Sequence, residues 1–71
     1  MHPLTAKQII AILLANDFVL TRQRGSHQIY TNKNTGATVP VPLHGKNRPI
    51  YIGTFMAIMK QSKLPKEMFE K

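Results

Sequence analysis

The chain has 71 residues, of which 42% are hydrophobic, and it contains no cysteine. A chain this short buries only about 60% of the surface that its unfolded form exposes, so we expect one small domain over residues 1–71. Disulfides and thiolate zinc sites are excluded as stabilising elements. The longest apolar stretch is far shorter than the roughly 20 residues of a membrane span, and no secretory signal is recognisable. We therefore expect a soluble, cytoplasmic protein.

The charge is strongly positive, with a formal net charge of +7 and a pI near 10.3. The acidic residues are Asp17, Glu67 and Glu70, so residues 18–66 contain no carboxylate side chain. The lysines and arginines of that stretch create a positive field that attracts polyphosphates. Nucleic acid is the partner that this pattern favours, and the alternatives are a merely soluble basic surface or one matched to an acidic protein.

The first predicted element is a helix that begins after Thr5. Thr5 and Gln8 have the spacing of a capping box, in which each side chain satisfies a backbone N–H of the other residue. Apolar residues then recur at helical spacing, and Asn16 and Asp17 end the helix. The face expected in the core consists of Ile9, Ile10, Leu13 and Leu14.

Three strands are predicted next, over residues 18–23, 26–31 and 37–43. A turn at Arg24 and Gly25 separates the first two strands, and the turn cluster 32–36 separates the last two. Pro40 and Pro42 have no backbone N–H to give to a neighbouring strand. The third strand is therefore expected at an edge of the sheet.

A basic loop over residues 44–49 leads to a second helix that begins near Gly53, with Thr54 as its N-cap. Its predicted buried stripe consists of Phe55, Ile58 and Met59. Pro65 starts a short helical tail, in which Met68 and Phe69 are expected to make apolar contacts. The order α-β-β-β-α predicts an α+β fold, with a three-stranded antiparallel sheet and two helices on one face.

Two histidines are predicted to meet at one end of this sheet. A turn centred near Asn34 pairs residues whose numbers add up to about 68, within a residue or so, so Ile29 faces Val39 and His27 faces about Val41. The start of the second strand then lies beside the end of the third, which brings His27 near His44. The cations expected at the same end are Arg24, Lys46 and Arg48.

That grouping suits RNA cleavage by attack of a 2′-hydroxyl on its neighbouring phosphate. Histidine has a pKa near neutrality and can move the protons, and nearby cations can stabilise the developing charge. The alternative for His27 is a structural role. His44 is a weaker candidate for a catalytic role, because its side chain could instead form a hydrogen bond with the backbone of its loop. No metal site is expected, because His2, His27 and His44 come without cysteines or nearby carboxylates.

Aromatic residues add a second possible contact with RNA. Tyr30 and Tyr51 could stack on bases or pack in the core, whereas Phe18, Phe55 and Phe69 are expected in the core. The RNA-binding residues predicted from the sequence are Arg22, Arg24, Lys46, Arg48, Lys60 and Tyr30.

Three blocks of sequence within residues 7–64 carry a resemblance to a known family. The first reads DFVL at 17–20 and RQRGSHQIY at 22–30, and the second reads VPV at 39–41 with HG at 44–45. The third is GTF at 53–55, followed by Ile58, Lys60 and Gln61. In this order they resemble the HicA toxins, although Pro42-Leu43 looks like an insertion and Ser62-Lys63 stands where the family usually has Ala-Gly.

The resemblance implies a fold like that of double-stranded-RNA-binding domains and a toxin that cleaves mRNA independently of the ribosome. Because the residues predict no metal site, we expect this cleavage to need no metal or cofactor. The resemblance makes His27 the catalytic residue, with Gly25 and Ser26 shaping the turn that presents it. His44, which follows the apparent insertion, is assigned as an auxiliary catalytic or turn residue. A HicB antitoxin, expected to present an acidic surface, would block the toxin. The alternative function is a non-catalytic RNA-binding or regulatory module on the same fold.

Overall fold

The computed structural model of the chain describes residues 2–43, 45 and 47–70. Helix α1 spans Ala6–Ala15, and the strands β1, β2 and β3 span Phe18–Arg24, His27–Asn32 and Thr38–Pro42. Helix α2 spans Ile52–Ser62, and a 3-10 helix follows at Lys66–Phe69. The sheet is antiparallel in the order β1-β2-β3, so the predicted α+β fold is confirmed and β3 lies at an edge. None of the helices described is long and apolar enough to span a bilayer.

Helix α1 begins with the predicted capping box. The Gln8 backbone N–H donates to Thr5 Oγ1 over 3.1 Å, and the Thr5 backbone N–H donates to Gln8 Oε1 over 3.0 Å. The buried face differs from the predicted one, because Leu14 is 54% exposed and Ile10 is half-buried. Successive residues of a helix are rotated by about 100° about its axis. The side of α1 that packs on the sheet contains Ile9 and Leu13 and includes Ile12 rather than Ile10 or Leu14. The buried residues of α1 are Ala6, Ile9, Ile12 and Leu13.

The pairing of β2 with β3 is shifted by one residue from the pairing centred on 68. Ile29 pairs with Pro40 and His27 with Pro42, while Tyr30 pairs with Val39. A one-residue shift moves side chains to the other face of a sheet, so the expected pairing of Ile29 with Val39 was wrong. Val39 is fully buried on the face that the helices cover, whereas His27 lies on the opposite, open face.

Asn32 explains this register. Its side-chain oxygen accepts hydrogen bonds from the Asn34 and Thr35 backbone N–H groups over 2.7 and 2.9 Å, and its side-chain nitrogen donates to the Asn16 carbonyl over 3.1 Å. The Asn32 backbone N–H donates to the Ala37 carbonyl over 2.8 Å. These bonds make residues 33–36 the turn, so its centre lies half a residue beyond Asn34.

One hydrophobic cluster joins both helices, the 3-10 helix and the covered face of the sheet. The three phenylalanines are buried as predicted, and the rings of Phe55 and Phe69 meet edge to face with centroids 6.1 Å apart. Met68 is 44% exposed, contrary to expectation, because its neighbour Phe69 takes the inward position. The predicted stripe of α2 is confirmed, since Phe55, Ile58 and Met59 are buried.

Helix α2 begins earlier than predicted. Tyr51 is its N-cap residue, and the Phe55 backbone N–H donates to the Tyr51 carbonyl over 2.9 Å. The prediction that Thr54 caps the helix was wrong, because the chain already turns at Tyr51 and Thr54 lies inside the first turn. Among the residues that the structure describes, no side chain caps this end of the helix. The exposed Tyr51 therefore stands directly at the beginning of α2.

Candidate catalytic cleft and basic sheet face

His27 is the first residue of β2, directly after the tight turn that joins β1 to β2. Gly25 has a φ of 58° and Ser26 does not have positive φ, the pattern of a type II′ hairpin turn with glycine in its first central position. The His27 side chain is exposed. Arg24 is its partner on β1 and Pro42 its partner on β3. Because directly opposed residues of antiparallel strands share a face, Arg24, His27 and Pro42 lie on the open face together.

The end of β3 is bonded to the same hairpin. The Leu43 backbone N–H donates to the Ser26 carbonyl over 2.7 Å, one step beyond the pairing of His27 with Pro42. This bond holds the beginning of the loop that follows β3 beside the turn that presents His27. The predicted partners His44 and Lys46 lie outside the described residues.

A cleft of about 350 Å³ opens beside His27, between the edge strand β3 and helix α2. His27 stands on the sheet side, and Tyr51 stands at the beginning of the helix. The residues that line the cleft are His27, Pro40, Pro42, Tyr51, Gly53, Thr54, Ala57, Ile58 and Gln61. The polar groups of Thr54 and Gln61 were missed by the sequence interpretation, because only the packing of α2 along β3 brings them towards His27.

The open face of the sheet continues from His27 as a basic, hydroxyl-bearing surface. A bulge at Thr21 shifts the alternation of β1 by one residue, so that Arg22 pairs with Ile29 and Arg24 with His27 on this face. Thr21 Oγ1 lies 3.1 Å from Thr31 Oγ1, which lies 3.5 Å from Thr38 Oγ1. We call this surface the basic sheet face; a depression of about 420 Å³ on it is lined by Thr21, Arg22, Arg24, Ile29, Thr31, Thr38 and Pro40.

The other predicted RNA-binding cations are more dispersed. Lys60 is exposed on α2, and Arg48 is exposed in the loop between β3 and α2. The Arg48 backbone N–H donates to the Gly45 carbonyl over 2.7 Å, and the following Pro49 pairs with Thr5 at the start of the chain. The structure thus groups Arg22 and Arg24 with His27 on one face, while Arg48 lies beside the N-terminal segment.

Tyr30 does not occupy an RNA-accessible position, which corrects its assignment as an RNA-binding residue. It is only 4% exposed on the helix-covered face, and its hydroxyl donates to Gln28 Oε1 over 2.8 Å. Burial raises the pKa of Tyr30 above its usual value. The burial of Tyr30 was predictable from the alternation of side chains along a strand, since residues 27 and 30 of one strand point to opposite faces. Tyr51, by contrast, is 77% exposed and lines the His27 cleft.

Within the described part of the chain, no three His, Asp or Glu side chains come together in a way that could hold a metal ion. His2 belongs to the N-terminal segment, and His27 has Arg24 and Pro42 as its strand partners. The chemistry that this site offers from its own residues is that of an imidazole and a guanidinium on an open surface.

The fold and the site define a small, basic α+β protein that presents an exposed histidine, paired across the strands with an arginine, at the mouth of an open cleft. The family described as the HicA toxin of bacterial toxin–antitoxin systems matches residues 6–64, most of the chain. The chain therefore belongs to the HicA toxin family, as its sequence blocks predicted. No curated protein matches it.

Proposed function

We propose that this toxin is a cytoplasmic endoribonuclease that cleaves mRNA without a metal ion and that His27 is its catalytic residue. The observation that carries the proposal is the exposed position of His27, with Arg24 directly opposite on β1 and an open cleft on its other side. An imidazole in contact with solvent can reach a phosphodiester, and the arginine offers a fixed positive charge beside it.

The proposed reaction is a transfer within the RNA strand. The His27 imidazole takes the proton of a 2′-hydroxyl, whose oxygen attacks the adjacent phosphorus, and the bond from phosphorus to the 5′-oxygen breaks. The leaving oxygen receives a proton from water or from His44, which we propose as an auxiliary group. The products are a 2′,3′-cyclic phosphate and a 5′-hydroxyl. Arg24 stabilises the added negative charge of the pentavalent phosphorus.

The basic sheet face is the proposed binding surface for the RNA backbone. Arg22 and Arg24 attract the phosphates, and the threonine hydroxyls beside them can donate to phosphate oxygens. Lys46, Arg48 and Lys60 are proposed to contact more distant phosphates. Since residues 18–66 contain no carboxylate, no side-chain anion in this stretch competes with the RNA.

The test is cleavage of a single-stranded mRNA by the purified chain in the presence of a chelator. We expect His27→Ala to lower the cleavage rate at least 100-fold, the usual contribution of a general base, while RNA affinity stays within about threefold. The matched control is His2→Ala, which removes an exposed histidine from the N-terminal segment and should leave the rate unchanged. Cleavage by His27→Ala at the parent rate would refute the catalytic role. If the parent chain and His27→Ala both bind RNA and neither cleaves it, the protein is a non-catalytic RNA-binding module instead.

The proposed protein partner is an acidic HicB-like antitoxin that covers the sheet end carrying His27. Charge complementarity supports this arrangement, because the positive field is uncompensated there. We expect Arg22→Glu with Arg24→Glu to weaken binding of the cognate antitoxin at least tenfold. Lys33→Glu, the same kind of charge reversal in the turn at the opposite end of β2, is the control. An antitoxin that bound only the tail around Glu67 and Glu70 and left cleavage intact would contradict the proposal.

A further inference from the structure

We propose that Tyr51 is the platform on which a nucleobase of the RNA stacks, and that this contact makes the His27 cleft selective for single-stranded substrate. The identity of the ligand as RNA rests on the proposed function. Tyr51 acts as a binding and specificity residue, and His27 carries the chemistry.

The exposure of Tyr51 is the first observation. The ring is 77% exposed, although burial of an aromatic ring usually stabilises a small fold. The other tyrosine and the three phenylalanines are all buried. An exposed aromatic ring next to a basic surface is the usual device by which proteins hold unpaired bases.

The second observation is the glycine that supports this ring. A Cβ placed on Gly53 would lie 2.9 Å from Tyr51 Cε2, closer than carbon atoms normally approach, and 3.4 Å from Cδ2. Gly53 does not have positive φ, so its backbone does not require glycine. The missing side chain instead lets the ring rest against the first turn of α2 while most of its surface stays open.

The third observation is what surrounds the ring. Tyr51 and His27 line the same cleft, whose volume of about 350 Å³ is within the range of small-ligand sites. The side chains of Thr54 and Gln61 line it as well and supply hydrogen-bonding groups for the edge of a base. A base that stacks on Tyr51 would leave its sugar and phosphate near His27. In a duplex the faces of that base are already stacked, so only an unpaired nucleotide can use this platform.

Kinetics of three variants test the platform. We expect Tyr51→Ala to raise KM for single-stranded RNA about tenfold, as expected when one base–aromatic stack is removed, with kcat within about threefold. Tyr51→Phe keeps the ring and should stay within about twofold of the parent. Gly53→Ala should raise KM like Tyr51→Ala, because its methyl group displaces the ring while the helix is retained. Met56→Ala, which removes another exposed apolar side chain from α2, is the matched control.

The stacking role is wrong if Tyr51→Ala keeps the parent KM, or if Tyr51→Phe loses as much as Tyr51→Ala. Thermal unfolding separates these effects from a folding defect, since a ring that is mostly exposed contributes little to stability. All four variants are expected to unfold within a few degrees of the parent.

A measurement that does not depend on cleavage uses the fluorescence of the ring itself. The chain contains no tryptophan and two tyrosines, so in Tyr30→Phe the emission comes from Tyr51 alone. We expect a 2′-O-methyl single strand, which cannot react, to quench this emission by at least half, and its duplex to quench it much less. Binding of the same strand can be measured separately, by the fluorescence anisotropy of a dye attached to it. If the strand binds but does not quench the Tyr51 emission, the platform is refuted and the role of His27 is unaffected. Quenching by a chain that does not cleave RNA would support the platform and refute the nuclease.

Discussion

Lys63 ends helix α2 in the left-handed backbone conformation, with a φ of 60°. This region is costly for a residue with a Cβ, and helices usually place glycine there. The chain compensates with Ser62, whose buried hydroxyl donates to the Met59 carbonyl over 2.7 Å and accepts from the Leu64 backbone N–H over 3.1 Å. The Ser62 hydroxyl thus satisfies one carbonyl and one backbone N–H at the end of the helix.

We expect Lys63→Gly to raise the free energy of unfolding by about 0.5–1 kcal/mol, because glycine adopts the left-handed conformation without the steric penalty. Urea unfolding followed by circular dichroism measures the change. Lys63→Ala is the control, since it removes the same charge but keeps a Cβ, and it should not stabilise the fold. A gain of equal size in both variants would attribute the effect to charge and contradict the explanation by backbone strain.

Individual site residues show which positions could be predicted from the sequence and which could not. The positions of His27 and Arg24 beside a glycine turn were predicted, and the structure has them as strand partners on the open face. Tyr30 was placed in the RNA-binding set because its residue type suits stacking, but alternation along β2 turns it into the core. Residue type indicates the chemistry that is available, and the face of the strand determines whether a ligand can reach it.

Among the elements, those specified by local interactions were predicted well. The capping box fixed the beginning of α1, and the prolines of β3 placed that strand at an edge. Local periodicity also identified the buried stripe of α2. These features depend on contacts between residues close in sequence, so the sequence alone contains the physical cause.

Elements set by distant contacts were predicted less well. The register of β2 against β3 depends on Asn32, whose side chain also bonds Asn16 at the end of α1. The beginning of α2 depends on the chain turning after Ile50, whose backbone N–H donates to the Leu4 carbonyl over 2.9 Å. A sequence pattern cannot show such bonds before the tertiary arrangement is known. The shift of one residue in register and the early start of α2 follow from them.

At the scale of the whole molecule, uncompensated positive charge is the dominant electrostatic property. The net charge of +7 is carried by a chain with a radius of gyration of 10.9 Å, a size comparable to the Debye length of about 8 Å at physiological salt. RNA affinity should therefore depend strongly on ionic strength.

We expect the logarithm of the RNA affinity to fall linearly with the logarithm of salt concentration between about 50 and 200 mM. If Arg22 and Arg24 each neutralise one phosphate, Arg22→Gln with Arg24→Gln should reduce the magnitude of this slope by about 1.4, at about 0.7 for each phosphate that is no longer neutralised. Lys33→Gln at the other end of β2 is the control and should leave the slope unchanged. Fluorescence anisotropy with a single-stranded RNA provides the measurement, and an unchanged slope in the double variant would remove the basic sheet face from the binding surface.

The sequence by itself determined the class of fold, the family and the basic character of this toxin, because these properties follow from local periodicity, turn chemistry and residue content. Tertiary structure alone decided that His27 shares a cleft with Tyr51, Thr54 and Gln61, and that Tyr30 is buried on the helix-covered face. The reason is that strand register and the packing of α2 along β3 bring together residues far apart in the chain. Those contacts leave no pattern at any one place in the sequence.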